Sequence, residues 1–193
     1  MKFPLLTVSI AILTATPAAA HLPPGEYGSF VAGVTHPLFG LDHVLAMIAV
    51  GLWAAQIGGR ALWQVPTAFV IAMMAGFGLA LAGMPLLLVE PMILASIIAL
   101  GAVVALALKP STWVAMAAVA GFALFHGHAH GGELGRADAM QFGAGFVLAT
   151  AGLHAAGLSV ALLFARALNQ GSGAVLRALG GATSMAGAFI AFG

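Results

Sequence analysis

Apolar runs of bilayer-spanning length recur along the chain, broken at short intervals by glycine, proline and a few polar residues. Read for length and apolarity, the pattern predicts six membrane helices at about residues 38–58, 62–83, 87–108, 112–130, 139–165 and 174–192. The turn formers fall between them: Gly58-Gly59, Gly83-Met84-Pro85, Lys109-Pro110-Ser111, Gly131-Gly132-Glu133 and Asn169 to Gly173. Ahead of the first span, Lys2, the apolar stretch Leu5 to Leu13 and Ala18-Ala19-Ala20 read as a secretory signal cleaved after Ala20. The organisation predicted is a signal peptide at 1–20 and one six-helix transmembrane domain at 21–193, an all-α polytopic bundle. No internal repeat is evident.

Charge fixes an orientation. With the mature N-terminus outside, the inner connections hold Arg60, Lys109 and Arg166, and Arg177 lies just inside the last span on the same side. The outer stretches hold Glu26, Glu90, Glu133 and Asp138, with Arg136 the one outer base. Basic residues concentrate on the cytoplasmic side of membrane proteins. The mature N-terminus is therefore expected outside the cytoplasm, with an acidic outer face that attracts cations. Trp53, Trp63 and Trp113 fall near the inner boundary and read as an aromatic belt. Glycine and alanine inside the spans read as close helix packing.

Composition sharpens this picture. Hydrophobic residues make up 62% of the chain and charged residues 6%, with a mean hydropathy of +1.11. The lipid bilayer is therefore the solvent. A net charge of +1 gives no basis for binding nucleic acid. With no cysteine, thiolate ligands and disulfides are excluded. Oligomeric state stays open.

Against that background two polar clusters stand out. The first runs His36-Pro37-Leu38-Phe39-Gly40-Leu41-Asp42-His43; the second is Phe125-His126-Gly127-His128-Ala129-His130-Gly131-Gly132-Glu133. Ionisable groups inside membrane spans are costly and mark function by default. Pro37 suits a first helical turn, which would put His36 at the cap of span one and His43 near the same face. Asp42 is the one acid well within a predicted span. His126, His130 and Glu133 are spaced i, i+4, i+7, so one helical face presents them if the helix survives Gly131-Gly132, while His128 points elsewhere. The start of span one and the end of span four share the outer side, so the clusters converge at similar depth. Imidazoles and carboxylates without thiolates suit nickel, cobalt or zinc.

Other polar groups carry two readings each. His154, alone in span five, is either a hydrogen-bonded packing residue or a deeper relay. His21 is either a tail residue or a ligand through its imidazole and a new α-amine. Met47 either packs or lines the path. Glu90 before Pro91 reads as a helix-start acid favoured by the dipole.

Together the signal peptide, a His at the mature start, His-Pro-x-x-Gly-x-Asp-His and Phe-His-Gly-x-Ala-His-Gly-x-Glu make the chain similar to the HupE/UreJ family of bacterial nickel permeases. The resemblance covers the whole chain. It implies an inner-membrane permease that brings nickel, or in some members cobalt, to hydrogenase or urease maturation. It assigns the metal roles to His36, Asp42, His43, His126, His130 and Glu133; His21, His128 and His154 are further candidates on the residues alone. No resident cofactor is expected, the metal being the transported ion. A membrane zinc hydrolase with Glu133 as base would use the same donors, and an accessory metal-binding subunit would make no pathway. The chain has no Walker-type phosphate loop for its own ATP hydrolysis, and no span holds a lysine for a retinal Schiff base.

Overall fold

Gly40 divides the first membrane segment. In the computed structural model, which describes residues 29–134, 137–168 and 171–193, helix α1 (Ser29–Phe39) and helix α2 (Leu41–Ile57) meet there at a bend of 80°. The remaining helices are α3 (Ala61–Leu81), α4 (Val89–Ala105), α5 (Thr112–Gly132), α6 (Ala139–Leu168) and α7 (Ser172–Phe192). Helices α3, α5, α6 and α7 are each long and apolar enough to cross a bilayer, and the bent pair α1–α2 qualifies as one broken span. Helix α4 has 17 residues, about 26 Å at ~1.5 Å per residue, at the short end of what spans a hydrocarbon core. Every predicted span thus coincides with a helix or helix pair, and the chain is a multi-pass membrane helix bundle. The predicted signal peptide, His21, Glu26 and Arg136 lie outside the described residues.

The start of span one is corrected. Pro37 lies inside α1, near its end, and not in the first turn of the spanning helix. Proline removes one helical hydrogen bond and crowds the turn before it. Gly40 then takes an extended conformation (φ −83°, ψ 110°) and begins α2. His36 therefore sits in the last turn of α1, and His36 and His43 occupy different helices. Asp42 lies in the first turn of α2, not well inside a spanning helix. Broken backbone at membrane depth is tolerated where it lines a cavity, which is the position of Gly40.

Hydrogen bonds define the two ends of the bundle. At one end the Trp53 Nε1–H donates to the Leu108 carbonyl (2.8 Å), the Gln56 amide to Val104 O (3.0 Å) and the Arg177 Nε–H to Ala105 O (2.9 Å). At the other, His128 Nε2 bonds Met84 O (2.8 Å) and the Asp138 N–H donates to Ser29 Oγ (2.8 Å). Among the described residues, Arg60, Lys109, Arg166 and Arg177 cluster at the first end, and Asp42, Glu90, Glu133 and Asp138 at the second. The charge sorting predicted along the chain is a property of the folded bundle. The tryptophans divide. Trp63 (60% exposed) and Trp113 (74%) face outward, whereas Trp53 (3%) is a core residue. Trp53 is corrected accordingly: its bond to Leu108 lets the whole indole be buried. Met47 is fully buried in the core.

Glycine allows the helices that carry the clusters to dock. A Cβ added at Gly127 of α5 would meet the Met73 carbonyl oxygen of α3 at 1.7 Å, and one at Gly76 of α3 would meet Leu124 O of α5 at 2.0 Å. A Cβ at Gly33 of α1 would overlap Phe142 O of α6 at 2.1 Å. These backbones touch, as membrane helices do at small residues. Gly127→Ala therefore forces α3 and α5 apart. We expect a loss of about 1–3 kcal/mol, the usual cost of overpacking, measurable as a lower thermal midpoint in detergent; Gly121→Ala on the same helix, where a Cβ has open space, should leave the midpoint unchanged.

Candidate metal centre

A cavity of about 190 Å³ opens at the acidic end, lined by His36, Gly40, Asp42, His43, Glu90, Ile93, Ala129, His130 and Glu133. Four helix termini meet here. Helices α1 and α5 point their C-terminal, partially negative ends at it, bearing His36, His130 and Glu133. Helices α2 and α4 bring their N-terminal ends, each with an acid in the first turn, Asp42 and Glu90. Helix C-termini favour cations and N-termini favour carboxylates. Both preferences are met at one place.

The side chains form a connected series. His43 Nδ1 lies 2.9 Å from Asp42 Oδ1; an ionised carboxylate only accepts, so Nδ1–H donates. In the neutral ring His43 Nε2 then carries a lone pair. It lies 2.7 Å from His130 Nε2, which must supply the proton between them. Donors adjacent on one ion at ~2.1 Å stand about 3 Å apart, so this pair is nearly at chelating separation. His130 is 2% exposed, and its Nδ1 has no hydrogen-bond partner. His36 Nε2 lies 3.7 Å from Glu133 Oε2, and ligand atoms of His36, His130 and Glu133 all fall within 4.8 Å of one another. The ring of Phe146 packs against that of His130 (4.5 Å between centroids), and the ring of Phe142 against that of His36 (5.9 Å). A Cβ at Gly40 would come within 2.8 Å of Asp42 Oδ1 and 2.9 Å of His43 Nδ1, so glycine leaves room for the carboxylate–imidazole pair.

His126 sits one turn below His130 and is fully buried, its ring 5.0 Å from that of His43. Ser96 Oγ donates its single proton to Ile93 O (2.6 Å) and lies 3.0 Å from His126 Nε2. The serine oxygen can then only accept, so His126 carries its proton on Nε2. Its Nδ1 is left as a buried lone pair with no partner. Hydrogen bonding of the far nitrogen orients metal-binding imidazoles, and its loss costs roughly 10–100-fold in affinity. Ser96→Ala should weaken metal binding to His126 within that range, while Ser96→Thr, which keeps the hydroxyl, should restore it. Titration calorimetry on the purified variants measures both; an unchanged Ser96→Ala affinity would contradict this role.

Helix α5 does continue through Gly131-Gly132, with Glu133 at its C-cap, and His126 and His130 share the buried face as their spacing predicts. His128 points away, toward Met84 at the exposed α3–α4 turn. His154 is not in the pocket; it lies deeper on α6. His21 lies outside the described residues. Two contributors were missed. Glu90 is a helix-start acid, as expected, but also lines the cavity; its place at the same end as both clusters was the available signal. Ser96 is the one hydroxyl in the apolar run from Pro91 to Leu108, a signal without a direction.

The HupE / UreJ protein family matches residues 9–190 of the chain. The chain belongs to the HupE/UreJ family. It is 43% identical over 195 residues, covering 100% of both chains, to Protein HupE of Rhizobium leguminosarum bv. viciae. No solved structure matches it. In this HupE/UreJ chain the two signature runs meet at one pocket: His36, Asp42 and His43 from the broken first span, and His130 and Glu133 from the end of α5.

Proposed function

We propose that the chain is a permease for a divalent transition-metal ion, nickel foremost and cobalt next, importing it across the bacterial inner membrane for hydrogenase or urease maturation. The carrying observation is the meeting of both His/acid runs in one pocket at the acidic end of an otherwise apolar bundle. Membership of the HupE/UreJ family supports the same reading. The ion is the cargo. It would be drawn to the periplasmic face by Asp42, Glu90 and Glu133, take nitrogen and oxygen donors from His36, His43, His130 and Glu133, and leave at the basic, cytoplasmic end. Nitrogen and oxygen donors without thiolate suit nickel and cobalt. Asp42 is bonded to His43, so it contributes its charge and orients the imidazole, as carboxylates do behind metal-binding histidines.

Two measurements test this. Purified protein in liposomes, with Ni²⁺, Co²⁺ and Zn²⁺ compared side by side, should show nickel influx above protein-free vesicles and hydrolyse nothing. Influx no faster than in empty vesicles would leave a metal-binding accessory protein, and hydrolysis without flux would make it an enzyme. Reporter fusions should place Lys109 in the cytoplasm and Asp138 in the periplasm; the reverse would put the pocket on the wrong side for import.

A further inference from the structure

One buried histidine has no task in the pocket. His154 lies midway along α6, 15 residues after Ala139 and 14 before Leu168, or roughly 21–23 Å from either end. It is 2% exposed, and neither ring nitrogen has a hydrogen-bond partner. A buried polar atom left unsatisfied costs about 1–3 kcal/mol, and an apolar side chain of similar size would avoid that. Packing alone therefore does not account for an imidazole here.

Its surroundings connect it to the pocket. The His154 and Phe69 rings pack at 83° to one another with centroids 5.0 Å apart, and the Phe69 ring lies 5.8 Å from that of His126. His126 in turn lies 5.0 Å from His43. The rings thus form a file from the acidic end into the middle of the bundle, and His126 Nδ1 and both His154 nitrogens remain without partners. The backbone under His154 is held firmly, since a Cβ at Gly51 of α2 would meet the His154 carbonyl oxygen at 2.2 Å. A turn earlier on α6, the buried Thr150 hydroxyl donates to Met73 Sδ (3.5 Å), leaving its oxygen lone pairs free to accept.

We infer that His154 is an inner transfer ligand, taking the divalent ion from His126 past the Phe69 ring and releasing it toward the basic end, an inference that rests on the permease reading. The acids of the described residues all stand at the outer end or its rim, so this station offers neutral donors only. It holds a dication more weakly than the pocket does. Conduction requires such a gradient: sites must bind well enough to admit the ion and weakly enough to let it go.

The test separates transfer from capture. Wild type, His154→Leu and His154→Gln are each examined for thermal stability, Ni²⁺ affinity in detergent and Ni²⁺ influx in liposomes. His154→Leu should be at least as stable as wild type, keep its Ni²⁺ affinity within twofold, and lose at least tenfold in influx; His154→Gln should also keep affinity and lose influx. Wild-type influx in either folded variant overturns the inference and leaves the permease reading intact. Loss of affinity together with influx, or failure of both variants to fold, also overturns it, by making His154 structural. No influx through wild type defeats the permease reading itself, and the inference with it.

Discussion

Asp42→Asn should abolish nickel uptake while the protein inserts and accumulates as wild type does. The amide oxygen of Asn can still accept the His43 Nδ1–H that Asp42 Oδ1 takes at 2.9 Å, so the bend at Gly40 and the ring position survive. What disappears is a negative charge beside the proposed dication site, and with it the basicity that the carboxylate confers on the imidazole. Changes behind a metal-binding histidine cost roughly 10–100-fold, and here a charge is lost as well, so uptake should fall at least about a hundredfold. Asp42→Glu should retain part of the activity at best, because one more methylene moves the carboxylate relative to His43. Cellular nickel accumulation, normalised to protein level in the membrane fraction, reads both. Normal accumulation with Asp42→Asn at wild-type abundance would remove the centre of the proposed site.

The second large effect separates histidines two residues apart. His130→Ala should cut uptake at least tenfold, because His130 joins the Asp42–His43 pair to the His36–Glu133 pair: its Nε2 is 2.7 Å from that of His43, and it shares the close donor group with His36 and Glu133. His126→Ala should also be severe, through the step below. His128→Ala removes a hydrogen bond to the Met84 carbonyl at an exposed turn, worth about 0.5–1.5 kcal/mol of stability and nothing in the pocket. Its uptake should stay within about twofold of wild type. Equal losses for His128→Ala and His130→Ala would show that His128 belongs to the pathway and that its bond to Met84 is not its role.

The sequence was informative where the controlling physics is local. Apolar length announced the spans, because an unpaired backbone cannot face hydrocarbon and each crossing must be a helix of nearly set length. The spacing of His126 and His130 placed them on one face, because 3.6 residues make a turn. Arg60, Lys109, Arg166 and Arg177 marked one end, since alternate crossings return the chain to the same side. The broken first span was less legible. Pro37 fits a helix start and also a helix end, and the local rule does not choose. Docking of α1 on α6, with Gly33 against the Phe142 carbonyl, settles it, and that contact joins residues far apart in the chain.

By itself, then, the sequence determined that this is an all-helical membrane bundle, which few residues in it are polar, and that both polar runs reach the same end. Those outcomes follow from hydrophobicity, helical period and charge, which act over a few residues. Only the tertiary structure decided how the donors face one another: that Asp42 bonds His43 and His43 meets His130, that Glu90 joins the pocket, that Ser96 sets the proton on His126, and that His154 stands unpartnered in the middle. Each of those is a distance between helices. Such distances depend on how closely two backbones approach, at glycines such as Gly76 and Gly127, and that approach is a property of the packed pair which neither helix carries alone.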